Sequence, residues 1–188
     1  MSDAPTSRVT EKRRRVLQAA LSLLLREGIK GTSMEAIARE AGIAKATLYA
    51  QFADKEAVLG GILEDLSGAL SQAFDAGMAS PAPLPQRIGA AMAGKYGVAT
   101  RLVAGSPFAR ELLSSHGNMP PQLHALDERN NQQILSALRQ AGVADPAPLN
   151  RLIQAACYGV AQKMIEETAV RAAIMQLCER LIAPELRD

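Results

Sequence analysis

Residues 31–59 read GTSMEAIAREAGIAKATLYAQFADKEAVL. Met34, Ile37, Ala38 and Ala41 recur at i, i+3, i+4 and i+7, a one-sided helical stripe. Thr32 and Glu35 have capping-box spacing, and Ser33 is the alternative N-cap. Gly42 breaks this helix and Ile43 plugs the turn. Residues 44–50 predict another short helix with Leu48 inward, and Phe52 closes the unit. Asp54 then caps a long helix over about 55–78. Two short helices across a tight Ala41-Gly42-Ile43 turn form a helix-turn-helix pattern. In that motif the second helix offers short side chains to a DNA major groove. Lys45, Ala46, Thr47 and Tyr49 face outward on this reading. Lys45 suits phosphate or guanine, and the Thr47 and Tyr49 hydroxyls suit phosphate oxygens.

Upstream, Leu17, Ala20, Leu21, Leu24 and Leu25 give a first helix over about 10–27, ended by Gly28 and Gly31. Within 8–15, Arg8, Lys12, Arg13, Arg14 and Arg15 stand against Glu11 alone. Residues 1–60 hold 10 of the 21 Lys and Arg but 7 of the 19 Asp and Glu, so the positive charge gathers at this end. A basic segment on a near-neutral chain fits a polyanion contact, and equally a solvated helix start.

The glycine after the first helix, the "IA-x-x-AGI" turn, "TLY-x-x-F" and "DKE-x-x-L" occur in this order within residues 10–63. The segment resembles the TetR family of transcriptional regulators. That resemblance implies a homodimer, three N-terminal helices on double-stranded DNA and a larger helical domain for a small effector. It makes Thr47, Tyr49 and Lys55 phosphate contacts, Ser33 a phosphate-binding cap, and Lys45 and Ala46 groove-facing. Arg8 and Arg13 join them from the basic arm. Gln51 departs from the family's usual His or aromatic-like residue, and Ala50 is small where many members carry a polar reader.

Beyond residue 65 the resemblance fades and the residues must speak alone. Three prolines in Ser80–Pro85 mark a break, and helices are expected over about 86–103, 107–115, 119–140, 147–165 and 169–183. The expected division is a DNA-binding domain over 1–54 and a ligand-binding and dimerisation domain over 55–188. The 147–165 segment is apolar nearly all round, which predicts core on one side and a partner on the other. With the last helix it would form a four-helix interface in a homodimer, as the resemblance implies, the alternative being a wholly intramolecular core. Asn130 falls at the centre of the stripe Leu123, Leu126, Ile134, Ala137 and Leu138. A buried Asn needs partners within the core, a water or a ligand. Met92, Tyr96, Phe108, Leu112, Gln154 and Tyr158 lie on neighbouring expected helices and complete a candidate lining for a small, mainly apolar effector.

Aromatics are 3% of the chain and Trp is absent, which disfavours β-sandwiches and propellers. The expected fold class is all-α. No apolar run reaches the ~20 residues of a membrane helix, and no apolar stretch follows the basic start as in a secretory leader. Cys157 and Cys178 show no CxxC spacing, so free thiols and a cytoplasmic location are expected. His116 and His124 lack further ligands at metal-binding spacing. No nucleophile, phosphate-loop or dinucleotide motif occurs, and Glu111, Asp127 and Glu128 read as solvated carboxylates. No catalysis, cofactor or metal is expected. The reading is a repressor released from a palindromic operator by its effector. A ligand-independent DNA-binding protein and an activator are the alternatives.

Overall fold

The computed structural model describes residues 4–109 (side chains from Thr10), 119–164 and 166–186. The fold is all-α. Among the described residues the helices are α1 (Ala4–Gly31), α2 (Met34–Glu40), α3 (Lys45–Tyr49), α4 (Lys55–Met78), α5 (Leu84–Ala104), α6 (Pro121–Gln140), α7 (Pro146–Lys163) and α8 (Glu167–Ile182). A short 3-10 turn, Ala183–Leu186, ends the described chain. Most of the helix expected over 107–115 lies outside the described residues. None of the described helices is long and apolar enough to cross a membrane.

The chain packs as two units. The first takes Met1–Leu66 and Gly105–Pro120, the second Ser67–Ala104 and Pro121–Asp188. This packing boundary lies inside α4, after Leu66.

In the first unit, Val16, Leu17, Ala20, Leu23 and Leu24 of α1 are buried with Met34, Ile37 and Ala38 of α2, Leu48, Phe52, and Val58, Ile62 and Leu63 of α4. Each large side chain so buried contributes about 1.5–3 kcal/mol. Gly28 breaks the helical run within α1 at φ 75° and ψ 171°, a conformation open only to glycine. Ser33, not Thr32, caps α2: its hydroxyl accepts from the Ala36 N–H at 3.2 Å. The buried Thr32 hydroxyl instead donates to the Gly28 carbonyl at 2.9 Å and closes the kink.

At the other end of α2, Gly42 adopts φ 65°. Its N–H reaches the Arg39 carbonyl, and the Ile43 N–H reaches that of Ala38. This paired closure needs a left-handed residue at Gly42, which fixes the angle at which α3 leaves. Asp54 then accepts from the Ala57 N–H at 2.8 Å and starts α4.

In the second unit the core gathers Phe74, Ile88, Ala91, Met92, Ile134, Leu138, Leu149, Ile153, Cys157, Val170, Ile174, Cys178 and Ile182. Its central element is α5, buried on nearly every side through Ile88, Gly89, Ala91, Met92, Ala93, Gly94, Lys95, Gly97 and Thr100. Small residues let neighbours approach its backbone. Gly77 faces the Ala90–Ala91 backbone, Gly94 faces Ala73, and Gly89 faces Met175 of α8. The helix expected to be apolar all round, α7, buries one face through Leu149, Asn150, Ile153 and Cys157. Its Leu152 and Tyr158 are 51% and 52% exposed in the single chain.

Candidate nucleic-acid interface and effector site

The first unit presents α3 outward by anchoring it at one residue. Leu48 is 0% exposed, whereas Lys45, Ala46, Tyr49 and Ala50 are exposed and Thr47 is half-buried. The Lys45 ammonium is paired with the Glu35 carboxylate of α2 and lies 5.7 Å from the centre of the Tyr49 ring. The hydrogen bond from Lys45 holds the Glu35 carboxyl below its usual range, and Glu35 in turn raises the Lys45 ammonium. Two adjacent helices thus carry one preset clip on their outer surface.

Around it the basic residues divide by role. The Arg13 guanidinium stacks 4.6 Å from the centre of the Phe52 ring and reaches Glu64 at 3.7 Å. Arg14 is paired with Glu11, and Arg26 with Glu40. Lys12, Arg15, Lys30 and Arg39 are exposed and make no ion pair among the described residues. Arg8 lies in α1, and its side chain is outside the description. Ser33 is exposed, with its hydroxyl engaged as the α2 cap. The half-buried Lys55 sends its ammonium back to the Ile29 carbonyl at 2.8 Å and to the Thr32 carbonyl at 3.2 Å. It ties the start of α4 to the end of α1 and the entry of α2.

In the second unit, Asn130 is 1% exposed and neither atom of its amide has a hydrogen-bond partner among the described residues. One turn earlier on α6, Asp127 pairs with the ammonium of Lys95 on α5. The Lys95 side chain is 8% exposed, and its ammonium lies 4.9 Å from the centre of the Tyr96 ring. Burial first, and then Asp127, Cys157 and Tyr158, push the Tyr96 phenol up, so its hydroxyl stays neutral. Asn150 of α7 donates to the Asn131 carbonyl at 3.1 Å, which sets α7 beside α6 at this level. Gln154, one turn along α7, has an unpartnered Nε2.

Of the expected lining, Met92 is fully buried, Tyr96 half-buried and Tyr158 half-exposed. Phe108 belongs to the first unit and is 36% exposed, and Leu112 lies outside the described residues. Cys157 and Cys178 are both fully buried. Donation of the Cys157 S–H to Cys178, aided by burial, pushes the Cys157 thiol up. His124 is exposed, His116 lies outside the described residues, and the described residues hold no group of His, Cys, Asp and Glu fit for a metal ion.

Residues 16–62 match the family described as "Bacterial regulatory proteins, tetR family". Over that segment the chain carries a TetR-family domain. A comparison with curated proteins finds no match. Solved structures share the fold along nearly the whole chain. A TetR-like transcriptional regulator from Rhodococcus sp. RHA1 is 18% identical, covers 92% of this chain and 96% of its own, and has a TM-score of 0.71. The TetR-family regulator PfmR from Thermus thermophilus is 20% identical over 90% and 95% of the two chains, with a TM-score of 0.67. The fatty acid degradation regulator FadR from Bacillus halodurans is 15% identical over 89% and 94%, with a TM-score of 0.65.

Two features of this TetR-family domain had no sequence signal. The Glu35–Lys45 clip joins residues across a turn, where no helical period applies. The Lys55 clamp depends on the Gly28 kink, which aims the Ile29 carbonyl at α4. Lys55→Met leaves two backbone carbonyls without their donor and is expected to cost about 1–3 kcal/mol. A lowered urea midpoint would show this. If the clamp is the whole role of Lys55, the salt dependence of DNA binding stays as in the wild type.

Proposed function

We propose that this TetR-family regulator is a repressor that binds a palindromic operator as a homodimer and leaves it when a small, mainly apolar effector occupies the second unit. The observation that carries the reading is the presentation of α3: Leu48 is locked in the core while Lys45, Ala46 and Tyr49 stand exposed beside the Glu35 clip. Together with Thr47, Ser33 and the exposed cations Lys12 and Arg15, they supply phosphate and groove contacts. The exposed Leu152 and Tyr158 on α7 support burial of that face against a second copy, with α8 beside it. A two-fold dimer places two α3 helices in half-sites about 34–36 Å apart.

The effector acts by population shift. It must bind the released state more tightly than the DNA-bound state, since equal affinity for both shifts nothing. The continuous helix α4 contributes its first half to one unit and its second half to the other, and it carries the coupling. The protein works in the cytoplasm, where its operator lies.

The test is a titration of the purified protein against DNA from immediately upstream of its own gene, across salt, with scrambled DNA alongside. Preferential binding with a steep salt slope is expected. Equal weak binding of both DNAs by effector-free protein would overturn the assignment to that operator.

A further inference from the structure

Helices α5, α6 and α7 of the second unit carry buried polar atoms that find no hydrogen-bond partner among the described residues. They are Thr100 Oγ1, Gln122 Oε1, both amide atoms of Asn130, Asn150 Oδ1 and Gln154 Nε2. Asn130 differs from the rest in offering an unused donor and an unused acceptor together, at 1% exposure. A buried amide with neither atom satisfied is costly and therefore calls for a partner. Building on the effector reading above, we infer that the effector carries a neutral head group of the carboxamide or lactam kind, whose N–H and C=O pair with the two atoms of the Asn130 side chain.

Charge decides against the ionic alternatives. Lys95 and Asp127, one turn from Asn130, already form a pair without net charge. An anionic head group would meet the Asp127 carboxylate, and a cationic one the Lys95 ammonium. Drawing Asp127 onto a cation would leave the buried Lys95 ammonium unmatched, and an anion would have to displace the Asp127 carboxylate already paired with that ammonium. Geometry decides among neutral groups. A ketone or ester only accepts, so it satisfies Nδ2 and abandons Oδ1. A single hydroxyl cannot align with both atoms at once. An amide edge presents a donor and an acceptor side by side in one plane, the complement of what Asn130 presents. Ile134 one turn along α6, Met92 on α5 and Ile153 next to Gln154 on α7 are fully buried members of one apolar core, suited to an apolar tail.

The test is calorimetric titration of DNA-free full-length protein with four unbranched probes of similar size: hexanamide, hexanoate, hexylamine and 2-heptanone. Hexanamide is expected to bind at least tenfold more tightly than each of the others. Asn130→Leu should bring it down to the level of 2-heptanone, and Asn130→Asp, which keeps the shape, should move the preference to hexylamine. A tighter hexanoate or hexylamine in the wild type overturns the neutral head group and leaves the effector site standing. Absence of binding by all four overturns the site as well, while the DNA titration separately decides the regulator. An amide preference that survives in a folded Asn130→Leu overturns the role of Asn130. The wild-type ranking is decisive even where a variant does not fold.

Discussion

Gly77→Ala is expected to destabilise the protein by about 2–3 kcal/mol, a fall of roughly 5–10 °C in Tm. An added Cβ would lie 2.1 Å from the Ala91 nitrogen, 2.4 Å from its Cα and 2.5 Å from the Ala90 carbonyl carbon. These are backbone atoms of α5, so no rotamer change relieves the overlap and the two helices must separate. Separation also loosens the packing of Phe74 and Ala91, both fully buried. Alanine's better helix propensity returns at most about 1 kcal/mol, which is too little to reverse the sign. Gly68 on the same helix supplies the control. A Cβ there meets nothing within 4 Å, so Gly68→Ala is expected to stabilise by up to about 1 kcal/mol. Urea unfolding of both variants decides. A Gly77→Ala protein as stable as the wild type would mean that this contact does not set the spacing of α4 and α5.

The same glycine shows where sequence reading stops. Read along the chain, Gly77 precedes a proline-rich stretch and looks like a helix terminator. In the fold α4 does end one residue later, at Met78, but Gly77 is also a contact surface for α5, a role that its own neighbours in the chain do not define. The helix-turn-helix was legible because its determinants are local. The stripe Met34, Ile37, Ala38 and Ala41, the left-handed Gly42 and the Asp54 cap each act within a few residues. The burial of α5 was not legible, because Gly and Ala contribute little hydropathy while permitting close approach on several sides. At the candidate site, the inward position of Asn130 followed from helical periodicity. Its unsatisfied state and the Lys95–Asp127 pair beside it depend on which helices pack together. Lys55 carries a similar lesson. The family resemblance implied a phosphate contact, yet its ammonium is occupied by two carbonyls of its own chain.

Lys45→Met is expected to weaken binding to any duplex about tenfold and to flatten the salt dependence by about one unit of slope per protomer. The reason is that Lys45 is the exposed cation of α3, and a phosphate contact releases counterions whatever the base sequence. Glu35→Gln has the opposite expected sign. The pair is 58% and 56% exposed at its two side chains, so solvent screens it and little is lost on opening it. DNA then competes with Glu35 for the ammonium, and the carboxylate itself faces an incoming polyanion. Its removal is expected to raise affinity several-fold, most for scrambled DNA, so the ratio between operator and scrambled DNA falls. Lys45 holds the Glu35 carboxyl below its usual range, so it remains ionised across about pH 5–8 and this competition is constant there. The double variant separates the two roles that Glu35 could play. If Glu35 competes with DNA through Lys45, most of the gain from Glu35→Gln disappears in the Lys45→Met background. If Glu35 instead positions Lys45 for DNA, Glu35→Gln alone weakens binding. Fluorescence anisotropy of the four proteins on operator and scrambled duplexes, repeated across salt, measures all of these terms. An unchanged slope for Lys45→Met would remove Lys45 from the interface, and the competition argument with it.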